Sequence, residues 1–151
     1  MSAFLIDTNV LVYAYDPRDR KKQEHARVVL DRLVLGELAV VSVQCLTEFF
    51  RVVRWKLPNP LRPEDALSQV VRLARACRVL DLTSWIVLEA CRASNTYQVS
   101  VWDALIWASA KVNQIPDVLT EDWEHERVLE GVRFLNPFNP TFDPALLKGR
   151  R

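Results

Sequence analysis

Five short, mostly apolar runs, Ala3 to Ile6, Leu38 to Val43, Val79 to Leu82, Asp117 to Thr120 and Val132 to Leu135, punctuate a chain whose intervening stretches follow a helical period. Runs of this length suit strands buried on both faces of a sheet. Between the first two, Ala26, Val29, Leu30 and Leu33 recur on one side of a helix over Arg20 to Leu35, with Gly36 as its stop. The pattern predicts further helices over Gln44 to Trp55, from Pro63 to about Cys77, from Thr83 to about Tyr97 and over Ser100 to Asn113. Strands alternating with helices make βαβ units, and hence an α/β protein with a mainly parallel sheet of four to five strands and helices on both faces. The right-handed crossover rule then puts all the parallel strands' C-termini along one edge, where open α/β sheets bind their ligands.

Length and composition bound the rest. A chain of 151 residues, half of them hydrophobic, fits one globular domain. Cys45, Cys77 and Cys91 are odd in number and set among apolar neighbours, which suits reduced core thiols in a cytoplasmic protein. No apolar stretch approaches the ~18 residues of a membrane span, and Met1-Ser2-Ala3 leads into the first strand without a charged leader, so an unexported protein with no membrane partner is expected. Twenty basic residues against nineteen acidic ones announce no nucleic-acid partner by net charge. Arg72, Arg75 and Arg78, at helical spacing, the group Arg18, Arg20, Lys21 and Lys22, and the terminal Lys148, Arg150 and Arg151 are each read as ordinary solvated charge.

The acidic residues at the predicted edge are more telling. Asp7 ends the first strand inside an almost wholly apolar stretch, where an ionised carboxylate is costly unless hydrogen bonds or a cation compensate. Capping the next helix is an equally good explanation of Asp7-Thr8-Asn9 taken alone. Glu48 lies early in the helix after the second strand, with a helix-surface pair to Arg51 as its alternative. Asp103 projects from a face shared with Ile106, Trp107 and Ala110, although Ser100-x-x-Asp103 also resembles a capping box. Asp122 follows the strand Asp117 to Thr120. Four acids from four parts of the chain at one edge would form a negative pocket suited to a hard divalent ion and to phosphodiester hydrolysis.

Asp7-Thr8-Asn9 after an apolar strand, Thr47-Glu48-Phe49, Trp102-Asp103-Ala104-Leu105-Ile106 and Thr120-Glu121-Asp122 together resemble the PIN-domain nucleases in order and spacing, over roughly Ala3 to Phe138. The size and the ending Asn136-Pro137-Phe138 look most like the VapC-type toxin of VapBC toxin–antitoxin pairs. The resemblance implies a PIN-like three-layer α/β/α sandwich over residues 1–140 with a tail over 141–151. It implies a Mg²⁺- or Mn²⁺-dependent endoribonuclease that acts on structured RNA such as transfer or ribosomal RNA, is commonly a homodimer, and is silenced by a cognate antitoxin protein. Asp7, Glu48, Asp103 and Asp122 would be the catalytic, metal-holding acids, supported by Thr8, Asn9 and Thr120. The fourth acid is the loosest assignment, because Glu121 adjoins Asp122.

Metal-activated water needs no Ser, Cys or His nucleophile, and His25 and His125 have no partner constellation; His25 is read as a surface residue of its helix. Arg18, Arg51 and Arg54 are candidate RNA contacts. Trp102, Trp107, Phe49 and Phe50, at helical spacing beside Leu and Ile, are read as core rather than as base-stacking platforms. Trp85, Ile86 and Leu88 form an apolar face for either core or dimer. Two other readings compete: a PIN-like RNA- or protein-binding module with little turnover, and a haloacid dehalogenase-like phosphatase. The latter chemistry wants a second Asp where this chain has Asn9.

Overall fold

The computed structural model describes residues 3–148. Its six strands are β1 (Phe4–Ile6), β2 (Ala39–Ser42), β3 (Arg78–Leu80), β4 (Asp117–Leu119), β5 (Val128–Leu129) and β6 (Val132–Leu135). They form one sheet in the order β3-β2-β1-β4-β6-β5, parallel throughout except for the antiparallel pair β5–β6. The helices α1 (Thr8–Tyr13), α2 (Arg20–Leu35), α3 (Val43–Trp55), α4 (Pro63–Ala76), α5 (Ser84–Tyr97) and α6 (Val101–Val112) complete the three-layer α/β/α sandwich.

β1, β2 and β4 are buried along their whole lengths, which is why they read as apolar runs without alternation. The central strand β1 pairs with β2 on one side and β4 on the other. The chain winds outward through β2 to β3, then returns to the opposite side of β1 with β4, so a crevice opens beyond the C-terminal ends of β1 and β4. The N-terminal part of α6 contributes to its lining. All seven residues from Ala104 to Ala110 are buried, leaving the helix's first turn and its last residues, Lys111 and Val112, nearer the surface.

The sheet has six strands where four to five were expected. β5 is only two residues long, too short to show a period, and it is joined to β6 by Glu130-Gly131, both at positive φ (46° and 86°). Two left-handed residues in a two-residue loop match the twist of a hairpin. α1 is likewise an unexpected separate helix, only six residues long. Arg78 begins β3 rather than continuing the stripe of Arg72 and Arg75, since α4 ends at Ala76. Gly36 does stop α2 but keeps a right-handed φ of −83°; the left-handed residue is Glu37, at φ 57°.

The segment after β6 folds back onto α2. A 3₁₀ turn over Pro144–Leu147 contacts α2, and Phe142 and Leu147, in the stretch expected to be a tail, are buried. His25 is half-buried rather than on the surface, its ring 5.8 Å from that of Phe138 and 6.4 Å from that of Phe142. The terminal Gly149, Arg150 and Arg151, with the basic cluster expected there, lie outside the described residues. Among the described residues no helix is long and apolar enough to cross a membrane, and all three cysteines are unpaired, but only Cys45 is in the core as expected; Cys77 is half-buried and Cys91 exposed.

Candidate metal centre

Asp7 leaves the end of β1 and is the N-cap of α1, so capping and placement at the sheet edge are two uses of one carboxylate. Its Oδ1 accepts the Thr8 backbone N–H at 2.7 Å. Its Oδ2 accepts the Thr120 hydroxyl at 2.8 Å and the Asn9 side-chain amide at a longer 3.5 Å. Asp7 is 5% exposed, and burial pushes its pKa up to about 7. The Thr120 and Thr8 hydrogen bonds oppose that rise, while the nearby Asp122 and Asp103 add to it.

Asp103 enters from the first turn of α6. Ser100 caps that helix by accepting the Asp103 backbone N–H at 3.1 Å, the half of a capping box that leaves the Asp103 carboxylate free for the crevice. Asp122 arrives just after β4, its backbone N–H donating to Thr120 Oγ1 at 3.1 Å. The three carboxylates of Asp7, Asp103 and Asp122 each offer an oxygen within 4.8 Å of the others. Like charges this close cannot all ionise comfortably without a cation, and the Asp122 pKa is raised, first by partial burial and then by Asp103.

Glu48 lines the same cavity but stands outside that trio. It accepts the Thr8 hydroxyl at 3.1 Å and the Gln44 amide at 3.5 Å, and among the described residues it forms no ion pair with Arg51. Geometry separates Glu121 from its neighbour Asp122. Glu121 turns away from the trio, accepting the Tyr13 hydroxyl at 2.6 Å and pairing with Lys22 at 3.0 Å.

Thr8, Asn9 and Thr120 therefore sit where the supporting residues were expected. Thr120 ties the most together: one hydroxyl serves Asp7, the Asp122 backbone and, at 3.4 Å, the Asn9 amide. Neither histidine lines the cavity; His125 Nδ1 accepts the Asn136 backbone N–H instead. Of the candidate RNA contacts, Arg18 is paired with Asp16 at 2.8 Å, Arg54 stacks on Trp55 at 3.8 Å, and Arg51 is exposed.

Three features of the cavity were not anticipated. Gln44 links α3 to α6 by donating to the Trp102 carbonyl at 3.3 Å. Its only sequence mark is a position one turn before Glu48. Val12, Val52 and Ile106 add apolar side chains to the lining of the cavity. Trp102, expected in the core, is 63% exposed at the rim, whereas Trp107 and Phe49 are fully buried as predicted; Phe50 is 36% exposed. Helical spacing gives the correct face for Trp107 but overreaches at Trp102, which precedes the buried stretch of α6.

Carboxylate oxygens from Asp7, Asp103 and Asp122 form the hard donor set that Mg²⁺ or Mn²⁺ prefers, so the residues fit a divalent ion. Comparison with known proteins agrees with this fold. No curated protein sequence matches the chain. Among solved structures, it is similar to a toxin–antitoxin complex from Klebsiella pneumoniae (TM-score 0.67, 16% identity, covering 91% of this chain and 98% of that chain). It is similar to DNA-bound VapBC from Salmonella typhimurium (TM-score 0.64, 23% identity, 89% and 97% covered). It is also similar to VapC20 of Mycobacterium tuberculosis, a sarcin–ricin loop cleaving toxin (TM-score 0.61, 17% identity, 80% and 92% covered). The model of the PIN domain matches residues 4–130, a stretch that holds all four acids and every helix from α1 to α6, and the chain belongs to the PIN domain family.

Proposed function

We propose that this protein is a divalent-metal-dependent endoribonuclease and the toxin of a toxin–antitoxin pair. The observation that carries the reading is the convergence of Asp7, Asp103 and Asp122 oxygens within 4.8 Å at the switch point of the sheet. These three acids, with Glu48 beside them, would hold Mg²⁺ or Mn²⁺. Such an ion, when bound, activates water and offsets the charge of a phosphodiester.

The chain's own residues prepare the site. Thr8 N–H and the Thr120 hydroxyl fix both oxygens of Asp7, so the carboxylate does not have to be ordered when cation and substrate arrive. Thr8 couples that carboxylate to Glu48 through its own hydroxyl. Asn9 spans Asp7 and Thr120 and accepts the Glu121 backbone N–H at 3.4 Å, holding the loop that presents Asp122. Without a cation the pocket repels phosphate, so RNA binding and metal binding are coupled.

RNA as the substrate, including transfer or ribosomal RNA, is supported by the likeness to a sarcin–ricin loop cleaving toxin. An antitoxin partner is supported by the likeness to toxin–antitoxin complexes. A homodimer belongs to the same proposal, with the exposed Trp85 and Leu88 of α5 as the apolar pair it would cover; Ile86 is committed to the core. Three unpaired cysteines, Cys45 deeply buried with its thiol pushed up to about 12 by burial, favour the reducing cytoplasm as its place of action.

The test incubates purified protein with end-labelled transfer and ribosomal RNA, in Mn²⁺ or chelator, beside Asp7→Asn and Asp103→Asn. Metal-dependent cutting by wild type alone is expected. Binding without cutting would instead make the chain an RNA-binding PIN module, and equal cutting by both variants would remove the metal-site reading.

A further inference from the structure

We infer that Trp102 is a nucleobase-stacking residue, gripping an unpaired base next to the phosphodiester held at the acidic pocket. The inference rests on the nuclease reading above and adds a contact that the acids cannot make.

Five tryptophans occur in the chain, and three have evident structural employment. Trp107 is fully buried and donates its indole N–H to the Leu129 carbonyl at 3.1 Å. Trp123 stacks on Phe134 with ring centres 4.0 Å apart and planes within 2°. Trp55 lies beneath the Arg54 guanidinium. Trp102 has none of this: it is 63% exposed, and among the described residues no aromatic ring or cation packs on it. Trp85 is similarly bare but lies on α5 and does not line the acidic cavity.

Position distinguishes Trp102. It is the immediate neighbour of Asp103 in the first turn of α6 and lines the same cavity as Asp7, Glu48 and Asp122. Its backbone is anchored where it stands, since Gln44 donates to its carbonyl from α3. A large, flat, apolar ring held at the rim of a polyanionic pocket is costly to keep in water, and the pocket already selects for a phosphate accompanied by a cation. The group covalently nearest to a phosphodiester that offers a flat apolar face is the base of an adjoining nucleotide. Val12, Val52 and Ile106 line the cavity with Trp102 and add apolar surface beside the acids. Stacking of this kind tolerates any base but requires it to be unpaired, which directs the cut to loops, bulges or single strands.

The experiment uses the RNA cut in the assay above, remade with a single abasic nucleotide at each position flanking the cut. Wild type, Trp102→Ala and Trp102→Phe are compared for KM and kcat in Mn²⁺, with thermal unfolding as the folding control. Trp102→Ala is expected to raise KM about tenfold with kcat little changed, and Trp102→Phe to restore most of the loss. One abasic position should cost the wild type a similar factor and cost Trp102→Ala nothing further. Equal KM values for wild type and Trp102→Ala, or abasic penalties that add to the substitution at every position, would overturn the inference. Failure of the wild type to cut any RNA brings down the nuclease reading and this inference with it, a result distinct from the others.

Discussion

The Thr120 hydroxyl donates to Asp7 Oδ2 at 2.8 Å, joining the end of β4 to the end of β1 across 113 positions of sequence. The same oxygen receives the Asp122 backbone N–H, so one small side chain sets the relative positions of two of the three converging acids. Thr120 is fully buried, and its hydrogen bonds lie within the crevice.

Thr120→Val keeps the shape and removes the donor. The variant should fold, lose roughly 1–2 kcal/mol of stability, and bind Mn²⁺ about 10- to 100-fold more weakly, because Asp7 and Asp122 lose their common tether. Thr120→Ser should retain most of the affinity. Isothermal titration with Mn²⁺ beside a urea melt separates the two effects, and unchanged Mn²⁺ affinity in Thr120→Val would remove the tethering role.

The raised pKa of Asp7 makes a prediction about the metal-free protein. The folded state holds this proton up to about pH 7, whereas the ordinary value for an aspartate side chain is 3.8. Between those values the native state binds more protons than the unfolded state, so the stability contributed by this group is complete at low pH and is lost as pH rises through that window. Between about pH 5 and pH 8 the loss should be of order 3 kcal/mol. Urea denaturation in chelator should show the wild type weaker at the higher pH, Asp7→Asn nearly level, and Mg²⁺ restoring the wild type. A drop of the same size in Asp7→Asn would assign the pH dependence to another group.

Neighbouring acids should behave differently. Asp122→Asn removes one of the three converging carboxylates and should weaken Mn²⁺ binding and cleavage strongly. Glu121→Gln instead removes the charge that pairs with Lys22 while keeping an oxygen able to accept the Tyr13 hydroxyl, and should leave Mn²⁺ affinity largely intact while costing about 0.5–1 kcal/mol of stability. A comparison of the two variants by titration and by cleavage assay checks the assignment; the reverse pattern would give the metal-binding role to Glu121.

The hairpin absent from the sequence reading has its own test. Gly131 sits at φ 86° with nothing within 4 Å of where a Cβ would be, so only backbone strain opposes a side chain there. Gly131→Ala should therefore cost about 1 kcal/mol, and Gly131→Asn less, in a urea melt. Equal stability of Gly131→Ala and wild type would mean that the turn relaxes to a negative φ.

Much of this architecture is legible in the order of residues, because its signals are local. β1, β2 and β4 announce themselves as uninterrupted aliphatic runs, Thr83 and Ser100 cap the helices they precede, and Pro63 opens α4. Strand-end placement of Asp7 and Asp122 follows from the same runs, and with it the expectation of one acidic edge. β5 and α1 escaped because two and six residues are too few to establish a period. His25 was misplaced because the residues that half-bury it, Phe138 and Phe142, lie more than a hundred positions away.

What the sequence by itself determined is the α/β order of elements and the kinds of residue available at the strand ends. Only the tertiary structure decided how they are used. It brings Asp7, Asp103 and Asp122 into one trio with Glu48 alongside, sends Glu121 to Lys22, and leaves Trp102 bare beside the acids while burying Trp107. The physical reason is one of range. Helical period and strand burial are written in neighbours a few residues apart, but the direction of a carboxylate depends on hydrogen-bond partners that only the closed sheet delivers, as Thr120 is delivered to Asp7.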